Sequence, residues 1–168
     1  MTPIFHLSLC LVMASSVATE AGLTRVKDSP RLVINRYYAL VRSVDFDEIK
    51  HYSEVRRPLL DQGRAVQRLL IEDLQAGSTS NDNRIKAMFG LAAFVESGKP
   101  GCEGLLFPVL IDLLVSPDDN IRSWVQWLME EISGQPFGAD RRKWKEWWST
   151  VGKKRFRDTC TNGSSNSK

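Results

Sequence analysis

Two segments of the chain align end to end at a constant offset of 36 residues, and this repetition constrains the fold more than any single residue. Residues 80–98 run SNDNRIKAMFGLAAFVESG, and residues 116–134 run SPDDNIRSWVQWLMEEISG. Their identities fall at the turn, at an aliphatic-basic pair and at the closing Ser-Gly. A period of about 20 to 50 residues is typical of stacked supersecondary units, here most simply helix pairs. Such units present a surface for binding.

Helix-capping signals punctuate the rest of the chain. Asp28-Ser29-Pro30 combines an N-cap with a proline at the first helical position, which predicts the start of a helix. Residues 45–48 form a capping box that predicts a short second helix. Pro58 then predicts the start of a longer helix, which the small residues 76–80 end. Since no stretch alternates with period two for long enough to indicate a strand, we expect an all-α domain.

Residues 106–134, LFPVLIDLLVSPDDNIRSWVQWLMEEISG, resemble a HEAT repeat: an apolar helix containing proline, an acidic turn, an aliphatic-basic pair and a second apolar helix. Ile121-Arg122 matches the pair, and Ile85-Lys86 is its equivalent one unit earlier. The earlier turn position, usually Asp in this family, is Ser80 in one unit and Ser116 in the other. The resemblance implies a right-handed α-solenoid of HEAT-like helix pairs.

The N-terminus has the pattern of an export signal. Residues 7–17 are uncharged and mostly apolar, and Ser16-Val17-Ala18 is a small-x-small cleavage pattern. At about eleven residues the run is too short to span a bilayer as a helix. We expect an exported protein, periplasmic or secreted; a buried amphipathic first helix is the alternative.

These signals divide the chain into regions. The predicted regions are a signal peptide at 1–18, a linker at 19–29, a repeat domain at 30–150 and a basic, then polar, disordered tail at 151–168. Within the domain, the repeat cores are predicted at 58–98 and 102–134, with a C-terminal capping helix at 140–150.

Charge is distributed unevenly between these regions. Residues 19–140 hold 14 Lys/Arg against 18 Asp/Glu, whereas residues 141–168 hold 9 against 2. A mildly acidic body therefore carries a strongly basic end. Such an asymmetry indicates either an anionic partner or a solvated tail.

The basic end contains a tryptophan-rich string, RRKWKEWW, for which Asp140 is a natural N-cap. Trp144, Trp147 and Trp148 follow the i, i+3, i+4 spacing that places them on one face of a helix. The favoured interpretation is that this face seals the last repeat as a structural cap. The alternatives are a helix lying on an anionic membrane surface and a set of anchors for a protein or polyanion.

No constellation in the sequence indicates catalysis. The mature chain has no nucleophile on a recognisable turn motif and no CxxC or Cys/His cluster, so we expect no enzyme activity, no metal and no cofactor. Cleavage after Ala18 leaves Cys102 and Cys160, which form a disulfide or remain two separate thiols.

The sequence therefore predicts a non-catalytic, exported HEAT-like protein that binds another protein or serves as a scaffold. The first alternative is a nucleic-acid or polyanion-binding protein, if the N-terminal run is not a signal; the second is attachment to an anionic membrane surface. The candidate binding residues are Arg84, Leu91, Gln126, Trp127, Glu130, Arg141, Arg142 and Lys145.

Overall fold

The computed structural model describes residues 28–41, 53–99 and 101–157. Every regular element in those ranges is helical, which confirms the all-α prediction. The helices are α1 Pro30–Leu40, α2 Ser53–Gln62, α3 Arg64–Gln75, α4 Asn81–Glu96, α5 Glu103–Leu113, α6 Asp119–Ser133 and α7 Arg141–Trp147. A π-helical turn, Trp148–Gly152, continues α7 and leads into the single-turn α8, Lys153–Arg155.

Helix α1 begins where its capping signal predicts. The Ser29 hydroxyl accepts a hydrogen bond from the Leu32 N–H at 3.3 Å, and Pro30 occupies the first turn, where its missing N–H is not needed. Val33, Tyr37 and Val41 form the buried stripe. The predicted capping box at residues 45–48 lies outside the described residues.

The prediction that a helix starts at Pro58 is wrong. Pro58 lies inside α2, and the chain breaks instead at Gly63, whose φ of 57° falls in the left-handed region that glycine adopts without steric penalty. Residues 58–98, predicted as the first repeat core, therefore contain the end of α2 followed by α3 and α4. Pro108 does lie inside α5, as expected.

The described helices pack in pairs, and the pairs lie side by side. Helices that are neighbours along the chain form these pairs: α1 with α2, α3 with α4, and α5 with α6. Helices α1, α3 and α5 contact one another in order and form one row. Helices α2, α4 and α6 form the second row in the same way. Helix α7 packs against α5, at the end of the first row.

Polar contacts attach α1 to the pair that follows it. The Asp73 carboxylate on α3 accepts hydrogen bonds from the Arg31 guanidinium at 2.7 and 2.8 Å and from the Tyr38 hydroxyl at 2.9 Å. Burial and, next, the Asp73 charge raise the pKa of Tyr38 well above its ordinary value. The hydroxyl therefore remains a hydrogen-bond donor throughout the physiological pH range.

The two duplicated segments end alike but begin differently. Gly98 and Gly134 both adopt positive φ, 64° and 72°; Gly98 lies two residues after the end of α4, and Gly134 lies one residue after the end of α6. Ser80 caps α4 by accepting from the Asn83 N–H, whereas Asp118 caps α6. In the second segment, Ser116 instead accepts a hydrogen bond from the Asp118 N–H within the turn.

A side-chain hydrogen bond joins the two equivalent turns. The Asn81 amide donates to the Asp118 carboxylate at 3.0 Å, between the first residue of α4 and the N-cap of α6. Although Ser80 and Ser116 replace the aspartates expected there, a contact between the two duplicated segments still forms. It uses Asn81, one residue further along the first turn.

Candidate interaction surfaces

An aromatic array lies where α4 meets α6. Phe89 and Trp124 make an edge-to-face contact with ring centroids 4.3 Å apart, and Trp124 makes another with Trp127 at 5.7 Å. Phe89 is buried, while both tryptophans are partly exposed. Among the described helices α6 is the last of its row, and α4 is its neighbour there.

The expectation that Leu91 is exposed is wrong, since its side chain is only 3% accessible. Leu91 aligns with Trp127 in the duplication, but α4 packs against α2, α3 and α6, whereas α6 has no following helix in its row. Arg84 is partly exposed and donates to the Ala76 carbonyl at 3.0 Å, which fixes it on the turn before α4. Of the candidates on α4 and α6, Trp127 and Gln126 are the partly exposed residues that best fit a binding role.

Two other candidate residues have structural contacts. The Glu130 carboxylate accepts a hydrogen bond from the Gly138 N–H at 2.9 Å, which ties α6 to the segment before α7. The Arg141 guanidinium donates to the Ile111 carbonyl at 3.1 Å and to the Asp112 carboxylate at 2.8 Å, at the end of α5. Arg142 and Lys145, the other basic candidates, are exposed.

Asp140 caps α7 as its sequence position predicts. Its carboxylate accepts hydrogen bonds from the N–H groups of Arg142 and Lys143, both at 3.1 Å. The hydrogen bond from Lys143 is the largest influence that holds the pKa of Asp140 below its ordinary value of 3.8. The cap therefore stays ionised well into the acidic range.

The three C-terminal tryptophans surround Phe107 of α5. Trp147 and Trp148 have ring centroids 5.2 and 5.3 Å from the Phe107 ring, and the Trp148 and Phe107 planes differ by only 9°. Trp144 is fully buried and donates its indole N–H to the Gly138 carbonyl at 2.8 Å. All three indoles are thus used in packing against α5.

The packed part of this segment extends beyond residue 150, so the prediction of a disordered tail from residue 151 starts too early. Phe156 is buried and stacks on Phe107 at 5.6 Å, with ring planes 16° apart. Sequence reasoning missed Phe156, although Trp144, Trp148, Gly152 and Phe156 follow one another at four-residue intervals. Residues 158–168 of the predicted tail lie outside the described residues.

A buried polar group that was not predicted from the sequence lies at the start of α5. Glu103 is only 4% exposed, and its Oε2 atom has no hydrogen-bond partner among the described residues. With Gln67 and Cys102 it lines a cavity of about 10 Å³ between the helix pairs, which is near the minimum that holds one water molecule. Glu103 stands in an apolar run, and nothing in that pattern indicated that its carboxylate is buried.

Cys102 is buried and disulfide-bonded. Its partner lies outside the described residues, because these contain no second cysteine. Cys160 also lies outside them, so the pairing of Cys102 with Cys160 stays a prediction.

Within the described ranges, no three His, Cys, Asp or Glu side chains gather in a way that would hold a metal ion. Across residues 28–41, 53–99 and 101–157, no helix is both long enough and apolar enough to cross a membrane. Comparison with known proteins found no family, no curated protein and no solved structure that matches the chain.

Proposed function

We propose that the chain is an exported, HEAT-like helical-repeat protein, a right-handed α-solenoid, which acts as a non-catalytic protein-binding or scaffold module. The order of contacts supports the repeat architecture: three helix pairs lie side by side, and the duplicated helices α4 and α6 are neighbours in one row. The Asn81–Asp118 hydrogen bond between equivalent turns supports the same arrangement.

The aromatic array of Phe89, Trp124 and Trp127 is the observation that carries the binding role. Trp127 is partly exposed on the last described helix of its row, and its ring contacts the Trp124 ring edge to face. Tryptophans that are held in place before binding are typical anchors of protein interfaces. Gln126, also partly exposed on α6, supplies a neighbouring amide for hydrogen bonds.

Replacing Trp127 with alanine should weaken binding of the partner at least about 30-fold, or about 2 kcal/mol, the range of an interface anchor. The partner would first be captured on the immobilised wild-type protein from the exported fraction of the producing cells. Its affinity would then be measured by titration with each variant. The melting temperature of Trp127→Ala, recorded in parallel, separates lost binding from lost folding.

The matched control is Leu105→Ala, which removes a large apolar side chain that is 44% exposed on α5 and is not a member of the array. Its binding should equal that of the wild type. The binding proposal fails if no protein is retained reproducibly, or if the two variants bind the partner equally well.

Export is tested by N-terminal sequencing of the fractionated protein. We expect a mature start near Thr19, because Ser16-Val17-Ala18 matches the small-x-small pattern of a signal cleavage site. The disulfide bond at Cys102 supports this expectation, since disulfides persist in oxidising compartments. A protein that retains Met1 and stays with the cytosolic fraction would refute export while leaving the binding role open.

A further inference from the structure

The C-terminal segment carries a dense set of basic side chains. Residues 141–157 hold eight Lys/Arg and one acidic residue, Glu146. Five of the basic residues are exposed and form no ion pair with any described residue; they are called here the basic cap surface: Arg142, Lys145, Lys153, Lys154 and Arg157. By contrast, Arg141 pairs with Asp112, and Lys143 lies 3.6 Å from Asp140.

The basic cap surface belongs to the folded unit. Between its residues, Trp144, Trp147, Trp148 and Phe156 are buried around Phe107, so the backbone that carries the charges is attached to α5. The Arg155 guanidinium donates to the Ser133 carbonyl at 3.0 Å and adds a second attachment, to the end of α6. The charges are therefore presented together from one end of the domain.

We propose that the basic cap surface binds the phosphate headgroups of an anionic phospholipid membrane and holds the protein at the bilayer surface. The rest of the chain favours a single orientation, because residues 19–140 hold more acidic than basic side chains and are repelled by the same surface. Val151, which lies between Lys145 and Lys153 in the sequence and is 47% exposed, adds an apolar side chain to the exposed part of this segment.

The buried indoles define how this attachment works. Because the three tryptophans pack against α5, they do not insert into the membrane, and attachment depends on charge. The same burial disfavours a single-stranded nucleic acid, since the basic cap surface offers no exposed aromatic ring on which bases could stack. The disulfide at Cys102 is also typical of oxidising compartments such as the periplasm, away from the cytosolic nucleic acids.

The experiment is co-flotation of the full chain with two kinds of vesicle. One consists of equal parts phosphatidylcholine and phosphatidylglycerol, and the other of phosphatidylcholine alone. We expect flotation with the anionic vesicles only, and binding that weakens steeply as salt is added. Lys153→Gln/Lys154→Gln should bind about 25-fold more weakly, because each charge near an anionic surface contributes about fivefold.

The matched control, Arg57→Gln/Lys99→Gln, changes the net charge equally but alters exposed residues outside the basic cap surface. Its binding should be unchanged. Equal losses in the two double variants, flotation with phosphatidylcholine alone, or no flotation would each overturn the proposal. Tighter binding to duplex DNA than to the anionic vesicles at the same salt would assign the surface to a nucleic acid instead. The proposal goes beyond the partner-binding role and uses none of the residues of the aromatic array, so the two can fail separately.

Discussion

Trp144→Ala is expected to lower the free energy of unfolding by about 3–5 kcal/mol, the largest effect among the substitutions considered. The Trp144 side chain is fully buried, with its ring centroid 4.9 Å from Phe137 and 6.0 Å from Trp147. Removing the indole leaves a cavity between α5 and α7 and takes the hydrogen bond away from the Gly138 carbonyl. Urea denaturation followed by far-ultraviolet circular dichroism measures the change.

Lys145→Ala is the control, since this residue is adjacent in α7 but exposed. Its unfolding free energy should stay within about 0.5 kcal/mol of the wild type. If Trp144→Ala were as mild as this control, the tryptophan-rich segment would not be packed on α5, and the charges of the basic cap surface would lie on a loose tail.

Gly152→Ala should destabilise the protein by about 1–3 kcal/mol, although alanine normally favours a helix over glycine by about 1 kcal/mol. A Cβ atom at this position would lie 2.4 Å from Cε3 of Trp148 and 2.9 Å from Cζ3 of Trp147. The Trp148 ring is stacked on Phe107 and cannot swing away without breaking that contact. The steric overlap therefore outweighs the gain in helix propensity. The melting temperature and urea midpoint of the variant measure the result.

Gly77→Ala provides the comparison, because a Cβ atom at Gly77 would meet nothing within 4 Å and the backbone there does not have a positive φ. That variant should be as stable as the wild type, or slightly more stable. A Gly152→Ala protein that also gains stability would mean that the π-helical turn leaves room for a methyl group beside the Trp148 ring.

The sequence revealed residues of both the aromatic array and the basic cap surface, but not the structural contacts of two other candidate residues. Trp127 and the basic residues around Trp144 stand out by residue type and spacing, and these two properties alone make each of them a candidate. The sequence did not reveal that Glu130 and Arg141 hold the α6–α7 connection and the end of α5. The Glu130 contact joins residues that are 8 positions apart, and the Arg141 contact with the Ile111 carbonyl joins residues that are 30 positions apart. No local sequence pattern encodes contacts at such separations.

Local signals also predicted the helix ends well where a side chain caps its own helix. Ser29 and Asp140 each accept a backbone N–H within three residues, and such contacts depend only on neighbouring sequence. The prediction that a helix starts at Pro58 is wrong, because the local signal of proline was misleading at this position. Proline is typical of the first turn of a helix, whereas here the left-handed turn at Gly63 is what separates α2 from α3.

The amino-acid sequence alone determined that the domain is helical and where several helices begin or end, because these properties depend on contacts a few residues apart. Only the tertiary structure decided which equivalent positions are covered. Leu91 and Trp127 occupy the same place in the duplication, yet one is buried and the other partly exposed. The difference arises because α4 has helices on both sides in its row, while α6 ends that row among the described helices.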